Sequence, residues 1–301
     1  MDRLIVLGSI AFDTVTTPAG AVSDAIGGTA FYFSVAASFF NNVGIISVVG
    51  NDFPKNHIEF LNSRDIDTEG LEITDGKTFR WRALYEGDMN EAKTLGVELN
   101  VISDFEPRVP DSYRDAEYLF LGNIDPEQQL GVINQMKKPK FIALDTMNFW
   151  IENKKEKLLE NIKRVNLLFL NDSEARLLFE TNSLLKAAKS AMEFGPEYVI
   201  IKKGEHGAVL FSKDGHFSVP AYMLENLVDP TGAGDSFAGG FMGWISKTDD
   251  ISEANMRRAM IYASTIASFN AEGFSLDKLK NINITDIQNR YNEFKNMVHF
   301  E

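Results

Sequence analysis

The chain has no cysteine, which excludes disulfides and thiolate metal sites. Its four histidines, His57, His206, His216 and His299, lack metal-ligand spacing and are given no role. Basic residues are in short supply: 30 lysines and arginines face 43 aspartates and glutamates, a formal charge of −13. Binding to nucleic acid or to an anionic membrane surface is dominated by phosphate neutralisation. No nucleic-acid or membrane partner is therefore expected. One stretch, Ile26 to Gly50, runs 25 residues without a charge, long enough to raise the question of a membrane span. Gly27-Gly28, Asn41-Asn42 and Gly44 divide it into a helix rich in Phe and Ala and a strand over 43–49, both of which an α/β core buries. Nothing resembling a secretory signal stands ahead of the first predicted strand, so a cytoplasmic location is expected.

What is present is enough for a sizeable core: 301 residues, 44% of them hydrophobic, allow one large α/β domain with a small appendage. Short apolar runs recur at 4–7, 45–49, 118–121, 141–144, 167–170 and 198–201, with helical patterns at about 54–64, 126–137, 154–164, 173–193, 233–247 and 251–271. This alternation predicts a parallel sheet with helices on both faces. Ligands of such sheets lie at the C-terminal ends of the strands, where Gly8, Asn123, Asp145, Asn171 and Gly204 fall.

The densest chemistry lies between Val228 and Gly243, Val-Asp-Pro-Thr-Gly-Ala-Gly-Asp-Ser-Phe-Ala-Gly-Gly-Phe-Met-Gly. A turn leads into a helix whose first N–H groups have no intrahelical partners and carry the positive end of the helix dipole. Gly232 and Gly234 let the backbone approach a ligand, with the N–H groups of Ala233 and Gly234 pointing outward and Asp235 beside them. Gly239, Gly240 and Gly243 follow inside the same helix. Each costs about 1 kcal/mol relative to alanine there, which implies close packing against another backbone. An ordinary turn with an N-terminal carboxylate remains open on local sequence. Ser236 also resembles a nucleophile elbow, which needs a strand just before it and a histidine in reach; no Gly-Lys-Ser or Gly-Lys-Thr loop is present.

Asp229 to Asp235 match Asp-x-Thr-Gly-Ala-Gly-Asp, the C-terminal signature of the ribokinase-like (PfkB) family of sugar and nucleoside kinases. Further landmarks appear in order: Gly8, Asp13, Gly27-Gly28, Asn171-x-x-Glu174 and Gly204-x-x-Gly207. The chain thus resembles that family over nearly its whole length. The resemblance implies a single ribokinase-like kinase domain over 1–301, with a central mostly parallel sheet and a small β lid over about 14–26 and 76–98. It implies an ATP-dependent kinase acting on a hydroxyl of a sugar or nucleoside, with Asp235 as general base and the N–H groups of Gly232, Ala233 and Gly234 as anion hole. Asn171 and Glu174 would position hydrated Mg2+; the same spacing is also a capping box, and both roles can hold together. Lys202, Gly204, Gly207 and Thr231 would serve ATP, although Gly204–Gly207 also reads as a tight turn between strands. Asp229 and Thr231, with backbone near Ser268 and Gly273, would frame a monovalent-cation site for K+. Asp13, Gly27, Gly28 and Asn123 would hold the acceptor, and Asp13 reads equally well as a turn residue.

Two departures from the family pattern bear on the acceptor. Thr78 to Tyr85 alternate like a half-exposed lid strand, but only 13 residues separate Asp13 from Gly27. A reduced lid follows, and the lid-to-lid dimer of some family members is not assumed; monomer and homodimer stay open. The asparagine that commonly follows Gly-Gly in sugar kinases is replaced by Thr29-Ala30-Phe31-Tyr32-Phe33. Tyr32 and its neighbours, with Trp81 and Tyr85, would favour an acceptor with a flat or apolar part, such as a nucleoside, over ribose or fructose. A Phe-rich helix is also what a core contains. The alternative of a different class is a non-catalytic sugar- or nucleotide-binding protein of the same fold.

Overall fold

The computed structural model describes residues 4–299. Its strands are β1 Leu4–Leu7, β2 Ala11–Thr17, β3 Gly20–Gly27, β4 Val43–Gly50, β5 Ile66–Thr74, β6 Phe79–Tyr85, β7 Ala92–Glu98, β8 Tyr118–Leu121, β9 Phe141–Leu144, β10 Leu167–Asn171, β11 Tyr198–Lys202, β12 Ala208–Ser212 and β13 Gly215–Val219. Its helices are α1 Thr29–Ala37, α2 Lys55–Asn62, α3 Pro126–Gln135, α4 Asn148–Asn153, α5 Lys155–Ile162, α6 Asp172–Phe179, α7 Leu184–Phe194, α8 Ala233–Thr248, α9 Glu253–Ala271, α10 Asp277–Lys280 and α11 Ile284–Val298.

The large sheet has the order β13-β12-β11-β10-β9-β8-β1-β4-β5 and is parallel from β11 to β5, with β12 antiparallel to β11 and β13 antiparallel to β12. Its central strands β1, β4, β8, β9 and β10 are almost wholly buried because both faces are covered, whereas the edge strands β5 and β13 are partly exposed. Leu4, Val6, Phe120 and Phe169 face a core shared with α1, α8 and α9. Ile5, Leu7, Leu119, Leu121 and Leu168 face the opposite core under α3, α5, α6 and α7. The uncharged stretch from Ile26 to Gly50 supplies the end of β3, α1 and β4, and no described helix is long and apolar enough to cross a membrane.

The glycines inside α8 have the predicted cause. A Cβ on Gly239 would stand 2.4 Å from the Phe33 carbonyl oxygen, and one on Gly243 would stand 2.9 Å from the Ala37 Cα, so α1 and α8 pack backbone to backbone. The helix expected over 173–193 is two helices. Glu180 takes the left-handed conformation at φ 51°, ending α6, and the Ser183 side chain accepts from the Lys186 N–H to start α7. Thr181-Asn182-Ser183 was the legible stop-and-start signal.

Residues 11–27 and 79–98 supply a second sheet, ordered β3-β2-β6-β7, with β2 and β6 parallel. It stands over the C-terminal edge of the large sheet. Thr17 Oγ1 donates to the Val228 carbonyl at 2.8 Å, tying β2 to the loop before Asp229.

The large sheet changes winding direction at β1. The chain runs outward through β4 and β5 on one side, then returns to β8 and winds outward the other way. The ends of β1 and β8 therefore border the crevice where open α/β sheets take their ligands.

Candidate active site

Gly232, at φ 73°, is the N-cap of α8. A side chain there would be strained, and its Cβ would lie 2.4 Å from the Tyr32 ring. The Ser236 N–H donates to the Gly232 carbonyl at 2.8 Å, the first bond of the helix. The sequence reading of an open Ala233 donor is corrected: its N–H closes a turn onto the Pro230 carbonyl at 3.0 Å. Among the described residues, the N–H groups of Gly232, Gly234 and Asp235 make no intramolecular hydrogen bond, so the open donors at this helix start are these three. Ser236 is fully buried, and its hydroxyl donates to the Asn270 side chain at 3.2 Å. It cannot present a nucleophile, which disposes of the hydrolase reading.

Asp235 sits among charges. Burial, then Asp145, push its carboxyl up to about 6, against the lowering effect of Lys202 and of a hydrogen bond from the Thr29 hydroxyl. Lys202 Nζ pairs with Asp145 Oδ2 at 2.6 Å, the two side chains 17% and 6% exposed. The same ammonium lies 3.3 Å from where a Cβ on Gly234 would be, directly beside the start of α8. Desolvation works to lower the Lys202 pKa, but Asp145, Glu174 and Asp235 raise it, and the net shift is upward.

Asn171 and Glu174 form the complete capping box of α6. Asn171 Oδ1 accepts from the Glu174 N–H, and Glu174 Oε2 accepts from the Asn171 N–H, both at 2.7 Å. Glu174 is nonetheless buried, its pKa raised by burial and by Asp145 and lowered by Lys202.

On the other side of Asp235 lies Asp13, buried at 4% exposure and pushed up to about 8 by burial, Asp229 and Asp235, with the Gly28 N–H donating to it. A Cβ on Gly27 would fall 1.9 Å from Asp13 Oδ2, so glycine there is what leaves room for the carboxylate. Asp229 accepts from the Thr231 N–H at 2.9 Å and the Ser275 N–H at 3.5 Å. The Thr231 carbonyl accepts from Asn270, and its hydroxyl meets the Tyr85 hydroxyl at 3.4 Å. Burial pushes Tyr85 up to about 12.

Phe31, Tyr32 and Phe33 are not open ring faces. All three are buried, Phe33 stacked on Phe120 at 4.2 Å and Tyr32 wedged beneath Gly232. Tyr32 is thus corrected from a stacking contact to a support of the Pro230–Gly234 turn. Trp81 is half-buried on the second sheet, its Nε1 donating to Thr94 at 3.2 Å. Asn123, at the end of β8, accepts from Trp150 Nε1 at 2.9 Å and donates to Met147 Sδ at 3.2 Å.

Gly204 starts a 3-10 turn over Gly204–His206 that joins antiparallel β11 and β12. The tip of the β6–β7 turn lies on it: Asn90 Oδ1 accepts from the Glu205 N–H at 3.3 Å, at a spot where Gly204, φ 53°, has no room for a Cβ.

Sequence placed Asp145 at a ligand-bearing strand end and Tyr85 on the lid strand, but neither was given the partner it has here, Lys202 for Asp145 and Thr231 for Tyr85; Thr29 gave no local signal, since its role depends on α1 meeting α8.

Residues 2–278 match the pfkB family of carbohydrate kinases. A cytidine kinase from Thermococcus kodakarensis is 32% identical over 258 residues, covering 83% of this chain and 91% of that protein. The solved nucleoside kinase of Methanocaldococcus jannaschii, an archaeal member of the ribokinase family, superposes with a TM-score of 0.77 at 21% identity, covering 97% of this chain and 98% of that one. A candidate ribokinase II from Escherichia coli, solved with ATP and Mg2+, gives a TM-score of 0.80 at 18% identity over 97% and 100% of the two chains. At those identities the two structures speak for the fold, which is ribokinase-like. The chain belongs to the pfkB carbohydrate kinase family. It is accordingly a phosphotransferase with an alcohol group as acceptor.

Proposed function

We propose that the protein transfers the γ-phosphoryl group of ATP to a primary hydroxyl of a nucleoside, with Asp235 as general base. The observation that carries this is Asp235 itself: a half-buried carboxylate, raised only to about 6, at a helix start with free N–H groups of Gly232 and Gly234 beside it. At neutral pH it is ionised and can orient the acceptor hydroxyl and take its proton late, which is all a loose phosphoryl-transfer transition state asks of a base. The N–H groups of Gly232, Gly234 and Asp235 would hold charge on the moving phosphoryl oxygens, and Lys202 would add its ammonium. Asp13 and the Gly27–Gly28 turn would hold the acceptor's other hydroxyls. The nucleoside acceptor is favoured by the relatives, one named cytidine kinase and one nucleoside kinase. A panel of cytidine, other nucleosides, ribose and fructose with ATP, read by ADP release, tests it; turnover of the bare sugars and of no nucleoside would overturn the acceptor.

Magnesium fits as a hydrated ion. Among the described residues no three carboxylates or histidines converge as a direct coordination shell, whereas Glu174 and Asn171 present oxygens that can hold metal-bound water. When bound, the ion neutralises charge on the ATP phosphates. Glu174→Gln can keep the bond from the Asn171 N–H, so it should melt close to wild type while needing several-fold more Mg2+ for half-maximal rate. An unchanged magnesium titration would leave Glu174 as a cap alone. Asp229, with Thr231, would hold K+: the carboxylate is buried and raised by that burial, and its partners are the N–H groups of Thr231 and Ser275.

The raised Asp235 also sets a pH dependence. The base form is lost as pH falls through about 6, so kcat/KM should drop about tenfold per pH unit below that point and level off above it. A profile flat down to about pH 4.5 would remove Asp235 as the base.

A further inference from the structure

We propose that Phe149 is the ring on which the flat base of a nucleoside acceptor stacks, making it a specificity-determining residue of this kinase; the inference rests on the nucleoside reading given above.

The placement follows from strand order. Asn123 lies two residues past the end of β8, at the crevice where the sheet changes winding direction, and Asp145 directly follows β9, the next strand over. Neighbouring strands lie about 5 Å apart, so these ends stand roughly one and two strand spacings from the end of β1. Both are tied to the base. Gly122 abuts Thr29, whose Cγ2 would be 2.3 Å from a Cβ there, and the Thr29 hydroxyl bonds to Asp235. Asp145 acts on Asp235 directly through its charge. An acceptor whose hydroxyl meets Asp235 therefore has the segment from Asp145 to Trp150 within its surroundings.

That segment is built to show a ring. Trp150 is locked by its bond to Asn123 Oδ1, and Asn123 is locked in turn by Met147 Sδ. Phe149 packs edge-on against Trp150, with centroids 4.8 Å apart and planes at 78°. It is 52% exposed, and Met147 beside it is 38% exposed. A large apolar side chain left half in water gains little from burial, yet this one is held by a second ring on a scaffold that itself carries hydrogen bonds. Asn123, joined to Phe149 through Trp150, keeps a second N–H and a second lone pair beyond those two bonds, so stacking on one surface and hydrogen bonding at an edge, the pairing that recognises a heterocycle, come from one scaffold. The rings of Phe31, Tyr32 and Phe33, the other aromatics near Asp13, are sealed in the core.

The test compares wild type, Phe149→Ala and Phe149→Trp with cytidine and with ribose as acceptors, at saturating ATP and again at saturating acceptor. Removing a stacking ring should lower kcat/KM for cytidine about tenfold, carried by KM, with ribose turnover and the KM for ATP unchanged. Phe149→Trp should restore cytidine. Calorimetric titration of cytidine without ATP should show the same loss and recovery in Kd. Equal changes for cytidine and ribose, a change confined to the KM for ATP, or no change at all would each overturn the stacking role while leaving the nucleoside kinase in place. A wild-type enzyme that neither binds nor phosphorylates any nucleoside would overturn the acceptor reading and this inference with it. Phe149 is exposed, so a Tm within a few degrees of wild type confirms that the alanine variant is folded.

Discussion

Asp235→Asn is expected to fold and bind ATP like the wild type while kcat falls by about 10² to 10⁴, the usual range for losing a positioned acid-base group. The substitution is nearly isosteric and removes a charge from a site where burial and Asp145 already oppose it. Its Tm should therefore be unchanged or higher, which separates lost chemistry from lost structure. The readouts are steady-state ADP release, a nucleotide titration and a thermal melt on one preparation. Activity within a few-fold of wild type would end the assignment of Asp235 as base. Ser236→Ala is the internal control. It loses a buried bond to Asn270, typically about 0.5–1.5 kcal/mol, and should leave turnover nearly untouched.

Lys202→Met should be the most destabilising single change in the site. Lys202 pairs with Asp145, and it also offsets the charges of Glu174 and Asp235. Its removal leaves buried carboxylates without that cation. Breaking such a buried pair costs about 3–5 kcal/mol, and at about 2–4 °C per kcal/mol for a chain of this size the Tm should fall by roughly 6–20 °C. The loss has a predictable pH dependence. Asp13, Glu174 and Asp235 all have pKa values raised in the folded state. Stability tied to such groups is fully present below their unfolded values and is lost as pH rises through the folded ones. The variant should thus lie closest to wild type near pH 5 and furthest from it near pH 8. Melting curves at those two pH values check this. An equal deficit at both would mean that packing of the lysine stem, not its charge, is what matters; no deficit would mean that the pair is dispensable. Asp145→Asn combined with Lys202→Met should recover part of the loss, since it removes one of the stranded charges.

The strands and the Asp229–Asp235 loop were legible because their signals are local: short apolar runs bounded by turn residues, and glycines crowded at and within one helix. The capping box over Asn171 and Glu174 was legible for the same reason. What escaped was set by distance along the chain. That Ala233 spends its N–H on Pro230 is a detail of turn closure. That Tyr32 is a wedge and not a platform depends on Gly232, 200 positions away, lying against its ring. Asp145 looked like the end of a strand until Lys202 and α8 were seen to meet there. Strands β2, β3 and β7 of the small sheet and β5 at the edge of the large one carry mixed polar and apolar residues, because each is partly open to solvent. Their pattern is accordingly faint.

The position of β1 has a consequence for how the chain reaches its native state. Leu4–Leu7 pairs on one side with Val43–Ile46 and on the other with Tyr118–Leu121. During synthesis the first partner emerges early and the second only after the whole of the small sheet has been made. Until then a strand of four apolar residues presents an open edge, the kind of surface that recruits other chains. Asp235, which must settle against Thr29, arrives later still. Slow or hot expression should therefore lose this protein to aggregation before any active site exists, and a ligand added afterwards cannot rescue what never closed its central sheet.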